Sequence, residues 1–441
     1  MTELLRHVRL ADLAPAERQA IVQRSATVPE SVRAGARAIV AEVRRGGDAA
    51  VRAANERLGG GLPPGQDGLP AALRIAPARL AEAAAALPAD LRAGLERMAV
   101  NIERFHAAQL PDPRQRWVDI EPGIRVGRAW RPLERVAAYV PGGTAAYPSS
   151  LLMTAIPARL AGVGSFVVAT PAGAEGQLSP ALLGAAGLLG IEELYVMGGA
   201  QAIAALACGT ESIPAVDKIV GPGNAWVTAA KLEVLGLTGI DLPAGPSEVM
   251  VLADETADPR HVAADLLSQA EHGPDSAAVL VTTAPALVPA VVAEVERQLP
   301  SLPRHDLLRV SLGAAGLVVE AADIADALAF VDAYAPEHLS IVVADPAAAF
   351  ARLRHAGSVF LGPYAPESAG DYATGSNHVL PTGRLARAYG ALSVEDFGTW
   401  IQVQEVTREG LAAIRPTVAV VAEAEGLSAH RRAVDVRFEE A

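Results

Sequence analysis

The pattern of hydrophobic and polar positions changes along the chain. Up to about residue 110, apolar residues recur every three or four positions, as in ESVRAGARAIVAEVRRGGDAAVRAANERLGG. This spacing predicts amphipathic helices that Gly and Pro interrupt. From there to about residue 360, helical stretches alternate with short apolar runs, namely FVVATPAG, LYVMGG, KIVGPGN, VMVLADE, AAVLVTT and LSIVVAD. Such runs are typical of buried parallel strands, so the pattern predicts an α/β fold.

Three of these runs end in Gly-rich turns, YVPGG at 139–143, VMGGAQ at 196–201 and VGPGN at 220–224. Ligands of open α/β sheets bind outside the carboxyl ends of the strands, and Gly allows backbone amides to approach a phosphate. The turns therefore indicate a possible nucleotide site. No G-x-G-x-x-G fingerprint occurs, and each turn taken singly is also consistent with a simple tight turn.

A second feature is the end of a predicted helix in LLSQAEHGPDS, residues 266–276. Asp258-Pro259 predicts the start of this helix and Gly273-Pro274 its end. Helical spacing places three polar residues on one face, Asp265, Gln269 and His272. Two interpretations are open: the imidazole caps the negative end of the helix dipole, or the helix end holds a metal or a substrate.

Acids and bases also cluster elsewhere in apolar or Gly-rich settings. The loop LGPYAPESAGDYATGSNHVL, residues 361–380, contains Glu367, Asp371 and His378. A tail from Leu411 to Arg437 predicts one or two helices, with Pro416 as a break or first-turn residue, and contains Glu425 and His430. Nitrogen and oxygen ligands of this kind suit zinc with an open coordination position. The spacing alone leaves a metal site open, because its ligands would come from distant segments.

Glu337 and His338 stand side by side in YAPEHLS, before a predicted strand. Neighbouring side chains on an extended chain point in different directions, so the two residues could serve two separate proton transfers. The alternative is a surface pair ahead of the strand.

Composition narrows the classes of function. A length of 441 residues predicts two or more lobes, and 51% hydrophobic residues suit buried strands and helices. The formal net charge is −13, and Lys218 and Lys231 are the only lysines. Because no basic stripe is present, we expect a small-molecule substrate and no nucleic-acid partner.

Neither the start of the chain nor its longest uncharged run predicts a targeting or membrane segment. The start, MTELLRHVRLADLAPAERQA, is charged throughout, and the run from Ser276 to Ala293 contains Pro285 and Pro289. The run suits a strand followed by a helix, so we expect a cytoplasmic protein without a membrane span.

A single cysteine, Cys208, excludes an internal disulfide and a cysteine zinc cluster. A metal would therefore need His, Asp, Glu or Gln. Cys208 has no neighbouring base or cation in ALACGTES, which favours a packing role over that of an oxidative nucleophile.

Several motifs together resemble those of the histidinol dehydrogenase family. They run in order from about residue 120 to 437 and include VMGGAQAIAALACGTES, IVGPGNAWVTAAK, DLPAGPSEVMVLAD, DLLSQAEHGPDS, APEHLS, GSVFLGPYAPESAGDYATGSNHVLPT, LSVEDF and AEGLSAHRRAVDVR. The resemblance implies a homodimeric, zinc-dependent and NAD-linked enzyme that oxidises L-histidinol through L-histidinaldehyde to L-histidine. One zinc ion per subunit would be expected.

The resemblance also implies roles for individual residues. The zinc ligands would be Gln269, His272 and Asp371, with His430 supplied by the partner subunit. Glu337 and His338 would be the catalytic acid-base pair. Further substrate contacts would come from Ser247, His378 and Glu425, the last donated across the dimer interface, and the zinc ligands and His338 would contact substrate as well. The residues expected to contact NAD are Tyr139, Gln201 and Asn224.

The fold implied by the resemblance is α/β, with two incomplete Rossmann-like lobes and terminal segments exchanged in the dimer. Residues 31–118 and 247–392 would form the first lobe, with the metal and catalytic residues, and 119–246 the second lobe, with the NAD contacts. Residues 1–30 would be a small helical segment and 393–441 a helical, exchanged segment. One departure from the family pattern is PTGRLARAYGALSV, which lacks the expected paired Gly.

Two other functions stay open at this point. One is the oxidation of another small primary alcohol by the same zinc and NAD chemistry. The other is a non-redox zinc hydrolase, for which the Gly-rich segments would be turns only.

Overall fold

In the part of the chain that the structure describes, the strands form three sheets. The computed structural model describes residues 4–24, 28–63, 72–110, 115–142, 147–173 and 175–439, so the predicted turn at 139–143 lies partly outside the described residues. The strands in chain order are β1 (Arg6–Arg9), β2 (Arg74–Ile75), β3 (Gln115–Glu121), β4 (Ile124–Pro132), β5 (Arg135–Tyr139), β6 (Ser165–Thr170), β7 (Glu193–Val196), β8 (Lys218–Val220), β9 (Gly239–Ile240), β10 (Glu248–Ala253), β11 (Ala277–Thr282), β12 (Gly316–Glu320), β13 (His338–Val342), β14 (Ser358–Leu361) and β15 (Gly398–Val406).

Helices connect these strands. In chain order they are α1 (Pro15–Val22), α2 (Glu30–Leu58), α3 (Pro77–Ala85), α4 (Ala89–Ala107), α5 (Pro148–Ala161), α6 (Pro180–Leu188), α7 (Gly199–Cys208), α8 (Ala225–Val234), α9 (Pro259–Ala270), α10 (Leu287–Gln298), α11 (His305–Ala315), α12 (Ile324–Tyr334), α13 (Pro346–Phe350), α14 (Glu367–Tyr372), α15 (Arg408–Ala424) and α16 (Ser428–Asp435). Short 3-10 helices lie at Leu10–Asp12, Leu299–Ser301, Leu385–Arg387, Val394–Phe397 and Val436–Phe438.

Two of the sheets have the same internal strand order. The first has the order β1-β12-β11-β10-β13-β14 and is parallel throughout. The second has the order β2-β7-β6-β5-β8-β9, in which only the edge strand β2 is antiparallel. In each sheet the chain moves outwards over three strands, returns to the centre and continues on the other side. This is the order of a Rossmann-like half with its switch point at the centre, and it confirms the predicted α/β fold with two lobes.

Both faces of each parallel sheet are buried. In β5, Val136 and Ala138 point into one core and Ala137 and Tyr139 into another. The first sheet likewise separates two cores, because Val249 and Val251 of β10 face one side and Met250 and Leu252 the other. A strand covered by helices on both faces needs apolar residues at every position, which explains the continuous hydrophobic runs of the sequence.

The N-terminal third differs from the division that the resemblance implies. Helix α2 packs against α7 and α8, α3 packs against α6, and α4 packs against α5. These contacts place the described helices of residues 30–107 on the second lobe and not on the lobe of residues 247–392. The segment before residue 30 is also not only helical, because β1 pairs with β12 as an edge strand of the first sheet. Local periodicity predicts the helices but carries no information on which sheet they cover.

The C-terminal segment also begins with a strand. Residues of β15 pair antiparallel with β4, from Gly398 opposite Pro132 to Val406 opposite Ile124, and β3 completes a three-stranded sheet. The segment 393–441 is therefore not helical throughout. Helix α15 then continues through Pro416, so the predicted break at this residue is wrong.

The segment that departs from the family pattern adopts an unusual backbone. Gly383 has a φ of 58° and Arg384 a φ of 73°. An arginine in the left-handed region is disfavoured by contact between Cβ and the backbone, at a cost of about 1–2 kcal/mol. The expected paired Gly would adopt this turn without that cost.

No helix in the described ranges has both the length and the apolar character needed to cross a membrane.

Candidate active site

Helix α9 carries the first polar residues of the site. Its N-terminus is capped as predicted, because the Asp258 carboxylate accepts a hydrogen bond from the Arg260 backbone N–H at 2.8 Å. Near its C-terminal end Gln269 is fully buried, and neither its amide oxygen nor its amide nitrogen has a hydrogen-bond partner among the described residues. Buried polar atoms are rarely left without partners, so this amide points to a ligand.

Helix α14 brings two carboxylates close to His272, which follows Gln269 by three residues. Glu367 and Asp371 are four residues apart on one face of α14, and both are buried. Their oxygens and a ring nitrogen of His272 all lie within 4.8 Å of one another. The side chain of His272 is about a third exposed, at 32%, so it closes this cluster on the solvent side. A nitrogen and two carboxylates at these distances can hold a divalent cation.

The amino ends of β10 and β13 place the predicted acid-base pair. Glu337 Oε2 accepts a hydrogen bond from the Glu248 backbone N–H at 2.8 Å. His338 Nδ1 lies 3.1 Å from the Glu248 carbonyl oxygen. Because a carbonyl only accepts, Nδ1 carries the proton, and Nε2 keeps a free lone pair. Nε2 is buried and has no hydrogen-bond partner among the described residues.

Three carboxyl groups surround the ring of His338. Nδ1 lies 3.6 Å from Glu337 Oε2 and 3.6 Å from Glu367 Oε1, and Nε2 lies 3.9 Å from Asp371 Oδ1. These carboxyl groups are close enough to stabilise an imidazolium when the ring takes up a proton.

Burial shifts the pKa values of all these groups towards their neutral forms. Burial lowers the pKa of His338 from 6.5 to about 3 and that of His378 to about 4. Burial raises the pKa of Asp371 from 3.8 to about 6 and that of Glu367 well above its usual value. His338 is therefore neutral at neutral pH, with a pKa below the ordinary value of a histidine.

His378 connects the cluster to the second lobe. Its Nε2 lies 3.0 Å from Ser150 Oγ on α5, and its Nδ1 lies 3.9 Å from Asp371 Oδ1. The backbone N–H of His378 donates to the sulfur of Met153, also on α5. The loop between α14 and the 3-10 helix at Leu385–Arg387 is thus fixed between the two lobes.

A cavity of about 580 Å³ opens at this junction of the two lobes. From the first lobe it is lined by residues predicted for catalysis, metal and substrate, namely Ser247, His272, Glu337, His338, Asp371 and His378. From the second lobe it is lined by Ser149, Ser150, Pro222, Gly223, Asn224 and Thr228, among others. The cavity meets the carboxyl ends of the second sheet, as expected for a nucleotide site, but the amino ends of the first sheet.

Comparison with known proteins agrees with this geometry. Residues 22–438 match the family model described as histidinol dehydrogenase. A histidinol dehydrogenase of Natronomonas pharaonis is 46% identical over 431 residues, which cover 98% of this chain and 99% of the relative. One from Aliivibrio fischeri is 43% identical over 431 residues, covering 97% and 95%. The chain belongs to the histidinol dehydrogenase family.

A solved structure extends the similarity to three dimensions. The crystal structure of histidinol dehydrogenase from Elizabethkingia anophelis superposes on this family member with a TM-score of 0.91, at 37% identity over 99% of both chains. The resemblance read from the motifs is thereby confirmed, and with it the class of enzyme, an oxidoreductase.

In this histidinol dehydrogenase family member, the three residues predicted to contact NAD differ in position. Asn224 lines the cavity and caps α8, because its side-chain oxygen accepts hydrogen bonds from the backbone N–H groups of Trp226 and Val227. Tyr139 is buried, and its hydroxyl accepts from the Gly199 N–H at 3.1 Å. Gln201 is also buried and donates to Asn55 Oδ1 at 3.1 Å. Tyr139 and Gln201 do not line the cavity among the described residues.

Glu425 and His430 lie outside the cavity of their own chain. Both are exposed, in or beside the hairpin formed by α15 and α16. Large apolar side chains in this hairpin and directly after it are exposed as well, namely Val420, Val421, Leu427 and Val436. A single chain therefore does not bring His430 and Glu425 to the other predicted residues.

Glu367 belongs to the site although the resemblance assigns it no role. The sequence marks it only as a chemical group of the loop. The signal was its spacing from Asp371, because two acids at positions i and i+4 share one face of a helix. Cys208 is not in the cavity lining, and burial raises the pKa of its thiol. This agrees with the packing role over the nucleophilic one.

Proposed function

We propose that this chain oxidises L-histidinol through L-histidinaldehyde to L-histidine, with NAD as the acceptor of both hydrides and zinc as the resident metal. The observation that carries the proposal is the juxtaposition of a neutral histidine and carboxyl groups in one cavity between two Rossmann-like lobes, with a buried unpaired amide, Gln269, three residues before the cavity residue His272. Membership of the histidinol dehydrogenase family supports the choice of substrate.

The residues present fit a zinc ion. Gln269 offers an amide oxygen without a partner among the described residues, and His272 and Asp371 offer a nitrogen and an oxygen within one cluster. Zinc accepts such nitrogen and oxygen ligands, and His430 of the partner subunit is proposed as the fourth. Bound there, the metal would hold the imidazole and amine of the substrate in place and would supply positive charge near the reacting group.

His338 is proposed as the base of the first oxidation. The hydroxyl proton must leave as hydride departs from the same carbon for NAD. The free lone pair of His338 Nε2, which faces the cavity residue Asp371, can accept that proton. The carboxyl groups beside Nδ1 stabilise the charge that the ring then carries. If zinc holds the imidazole and amine of the substrate, as proposed above, it would not be needed to remove the hydroxyl proton.

Glu337 is proposed to serve the second oxidation. The aldehyde has no C–H bond whose hydride loss gives an acid until water adds to its carbonyl carbon. A carboxylate can remove a proton from that water, and His338 can again accept the hydroxyl proton as the second hydride leaves. The sum is one alcohol, one water and two NAD giving one carboxylate, two NADH and three protons.

The remaining predicted residues would bind the substrate and NAD. Ser247 and His378 line the cavity beside the acid-base pair, and Glu425 of the partner subunit would complete the substrate contacts. Asn224 lies on the second-lobe wall, where NAD is proposed to bind. Tyr139 and Gln201 would contact NAD only after a change in the hydrogen bonds that they make to Gly199 and Asn55.

A homodimer is proposed because one chain supplies only part of the site. The exposed apolar residues of the α15–α16 hairpin support its docking against a second copy, with His430 and Glu425 reaching that copy's cavity. Exchange of the hairpin in a twofold dimer would make each site from two chains.

Mixing two inactive variants is expected to restore activity. His272→Ala and His430→Ala should each bind little zinc as pure dimers. In a mixed dimer, one site carries both changes and the other neither, so about a quarter of all sites should be intact after equal mixing and exchange. Zinc content and NADH formation measure the recovery. Absence of recovery, with mixed dimers shown by native mass spectrometry, would place His430 in its own chain's site or outside any site.

The overall function is tested by stoichiometry. Zinc-loaded protein is mixed with limiting L-histidinol and excess NAD, and NADH absorbance is followed to completion, then again after chelation. We expect two NADH per histidinol, loss on chelation and recovery with zinc. No NADH from histidinol, with saturable NAD binding retained, favours another primary alcohol. Absence of NAD binding favours a zinc hydrolase.

A further inference from the structure

One residue holds both members of the acid-base pair through its backbone. The Glu248 N–H donates to Glu337 Oε2, and the Glu248 carbonyl accepts from His338 Nδ1. Val249, the next residue of β10, stands opposite His338 in the parallel ladder with β13. The orientation of two peptide groups around one Cα therefore determines where Glu337 lies and which nitrogen of His338 carries the proton.

The side chain of Glu248 is itself clamped. Its carboxylate is buried, with 3% of the residue exposed. Arg24 Nε donates to Glu248 Oε2 at 2.5 Å, and the Gly383 N–H donates to Oε1. A buried carboxylate needs such partners, because without them its charge is unfavourable in the protein interior. The position of Glu248 in β10 is thus coupled to the position of Arg24, which follows helix α1.

Arg24 also contacts the segment that leads into Glu337. Its Nη1 donates to the Tyr334 carbonyl at 2.7 Å, and its guanidinium carbon lies 3.1 Å from the centroid of the Tyr334 ring. Tyr334 ends α12, and the next residue, Ala335, has a φ of 50°, a conformation disfavoured for alanine. The turn after Tyr334 must therefore be held by its surroundings. The guanidinium group of Arg24 therefore contacts the start of β10 through Glu248 and the segment that leads into β13 through Tyr334.

We propose that Arg24 is a positioning residue for Glu337 and His338, acting through Glu248 and Tyr334, and that its loss lowers the rate of both oxidations without affecting the metal. The proposal rests on the proposed function of this pair. Arginine suits the role because its planar group can donate in several directions while stacking on a ring, which lysine does not reproduce.

The test compares Arg24→Met and Arg24→Lys with the unchanged enzyme. In Arg24→Met we expect kcat with histidinol and with histidinaldehyde to fall about 10- to 100-fold, because catalytic groups displaced by a fraction of an ångström react more slowly. KM should stay within about two-fold and the zinc content near one per chain. KM and zinc content depend on substrate and metal binding, in which Arg24 is proposed to have no part. The kcat of Arg24→Lys should lie between those of Arg24→Met and the unchanged enzyme. If Arg24→Met does not fold, the comparison of Arg24→Lys with the unchanged enzyme is the test.

Arg18→Met is the matched control. Arg18 lies in α1, and its Nη2 lies 3.6 Å from Asp326 Oδ1 of α12, so this arginine also joins the N-terminal segment to α12, but at the surface. Its loss should leave kcat unchanged. A crystal structure of Arg24→Met should show the 3.1 Å contact between His338 Nδ1 and the Glu248 carbonyl lengthened.

Two results would overturn the proposal. The first is a folded, zinc-loaded Arg24 variant with the wild-type kcat per site. The second is a variant crystal structure with the Glu248 contacts to Glu337 and His338 unchanged. If the wild-type enzyme forms no NADH from histidinol, the proposed function fails, and the variant structure still decides the positioning role.

Discussion

Replacing His338 by alanine is expected to slow both oxidations by about 10²- to 10⁴-fold, the usual contribution of a positioned base. Both steps need a hydroxyl proton removed as hydride leaves, and His338 Nε2 is a buried, unpaired base in the cavity. Zinc content should stay near one per chain, because the proposed ligands are Gln269, His272, Asp371 and the partner's His430.

The measurement for His338→Ala combines kinetics with metal analysis. Rates are taken separately with histidinol and histidinaldehyde, and zinc is measured on the same sample. His355→Ala is the control, because His355 Nδ1 also lies 3.6 Å from a carboxylate, that of Asp332, but His355 is not among the residues lining the cavity. Loss of zinc in His338→Ala would show that His338 is a ligand and that the base lies elsewhere.

Several strands of the two parallel sheets could be predicted from the sequence because each has a distinctive local pattern. Runs such as VMVLADE and AAVLVTT are apolar at every position, which only a strand buried on both faces requires. Each of them is a strand of the structure, β10 and β11. The packing of helices α2 to α4 on the second lobe was not predictable in the same way. A helix with one apolar face can cover either sheet, and the choice depends on long-range contacts.

The site residues likewise fall into those that local spacing brings together and those that only long-range contacts bring together. Gln269 lies near the end of α9 and His272 in the turn that follows, where its backbone N–H donates to the Gln269 carbonyl, so local spacing alone brings the two residues together. Asp371 and His338 come from segments distant in sequence, and only the family resemblance linked them to that helix. Glu367 is visible in the sequence as a chemical group of the same loop, and its spacing from Asp371 is equally local, but the resemblance assigns it no role.

Some site properties depend entirely on the tertiary structure. The expected position of a site at carboxyl strand ends holds for Asn224, but Glu337 and His338 lie at the amino end of β13. The pKa values of both residues are shifted because the residues are buried. The segment YAPEHLS does not reveal this burial, because its sequence is also consistent with a surface pair. The role of Glu248 follows from the pairing of β10 with β13, which no local pattern contains.

Replacing Glu337 by glutamine is expected to slow aldehyde oxidation by about 10²-fold or more and alcohol oxidation much less. Only the second oxidation consumes water, so only that step loses a base when the carboxylate becomes an amide. The amide oxygen can still accept the hydrogen bond from the Glu248 N–H, so the neighbouring backbone should keep its position. Rates with histidinol under single-turnover conditions and with histidinaldehyde separate the two steps.

Glu367→Gln is the matched comparison, because Glu367 Oε1 lies as far from His338 Nδ1, 3.6 Å, as Glu337 Oε2 does. Its effect per zinc-loaded site should be similar on both oxidations. Equal slowing of the two steps in Glu337→Gln would contradict the division of roles and would make Glu337 an electrostatic partner of His338.

The pH dependence of the wild-type enzyme gives a second measurement of the same role. Burial, together with the charges of Glu248, Glu367 and Asp371, raises the pKa of Glu337 well above 4.5. A base acts only when deprotonated, so aldehyde oxidation should decline as the pH falls through this raised pKa, at a pH above 4.5. The decline should be weaker in Glu337→Gln, because an amide does not titrate. If the variant keeps the same decline, another group supplies the base for the water, and the adjacent Glu367 is the first to examine.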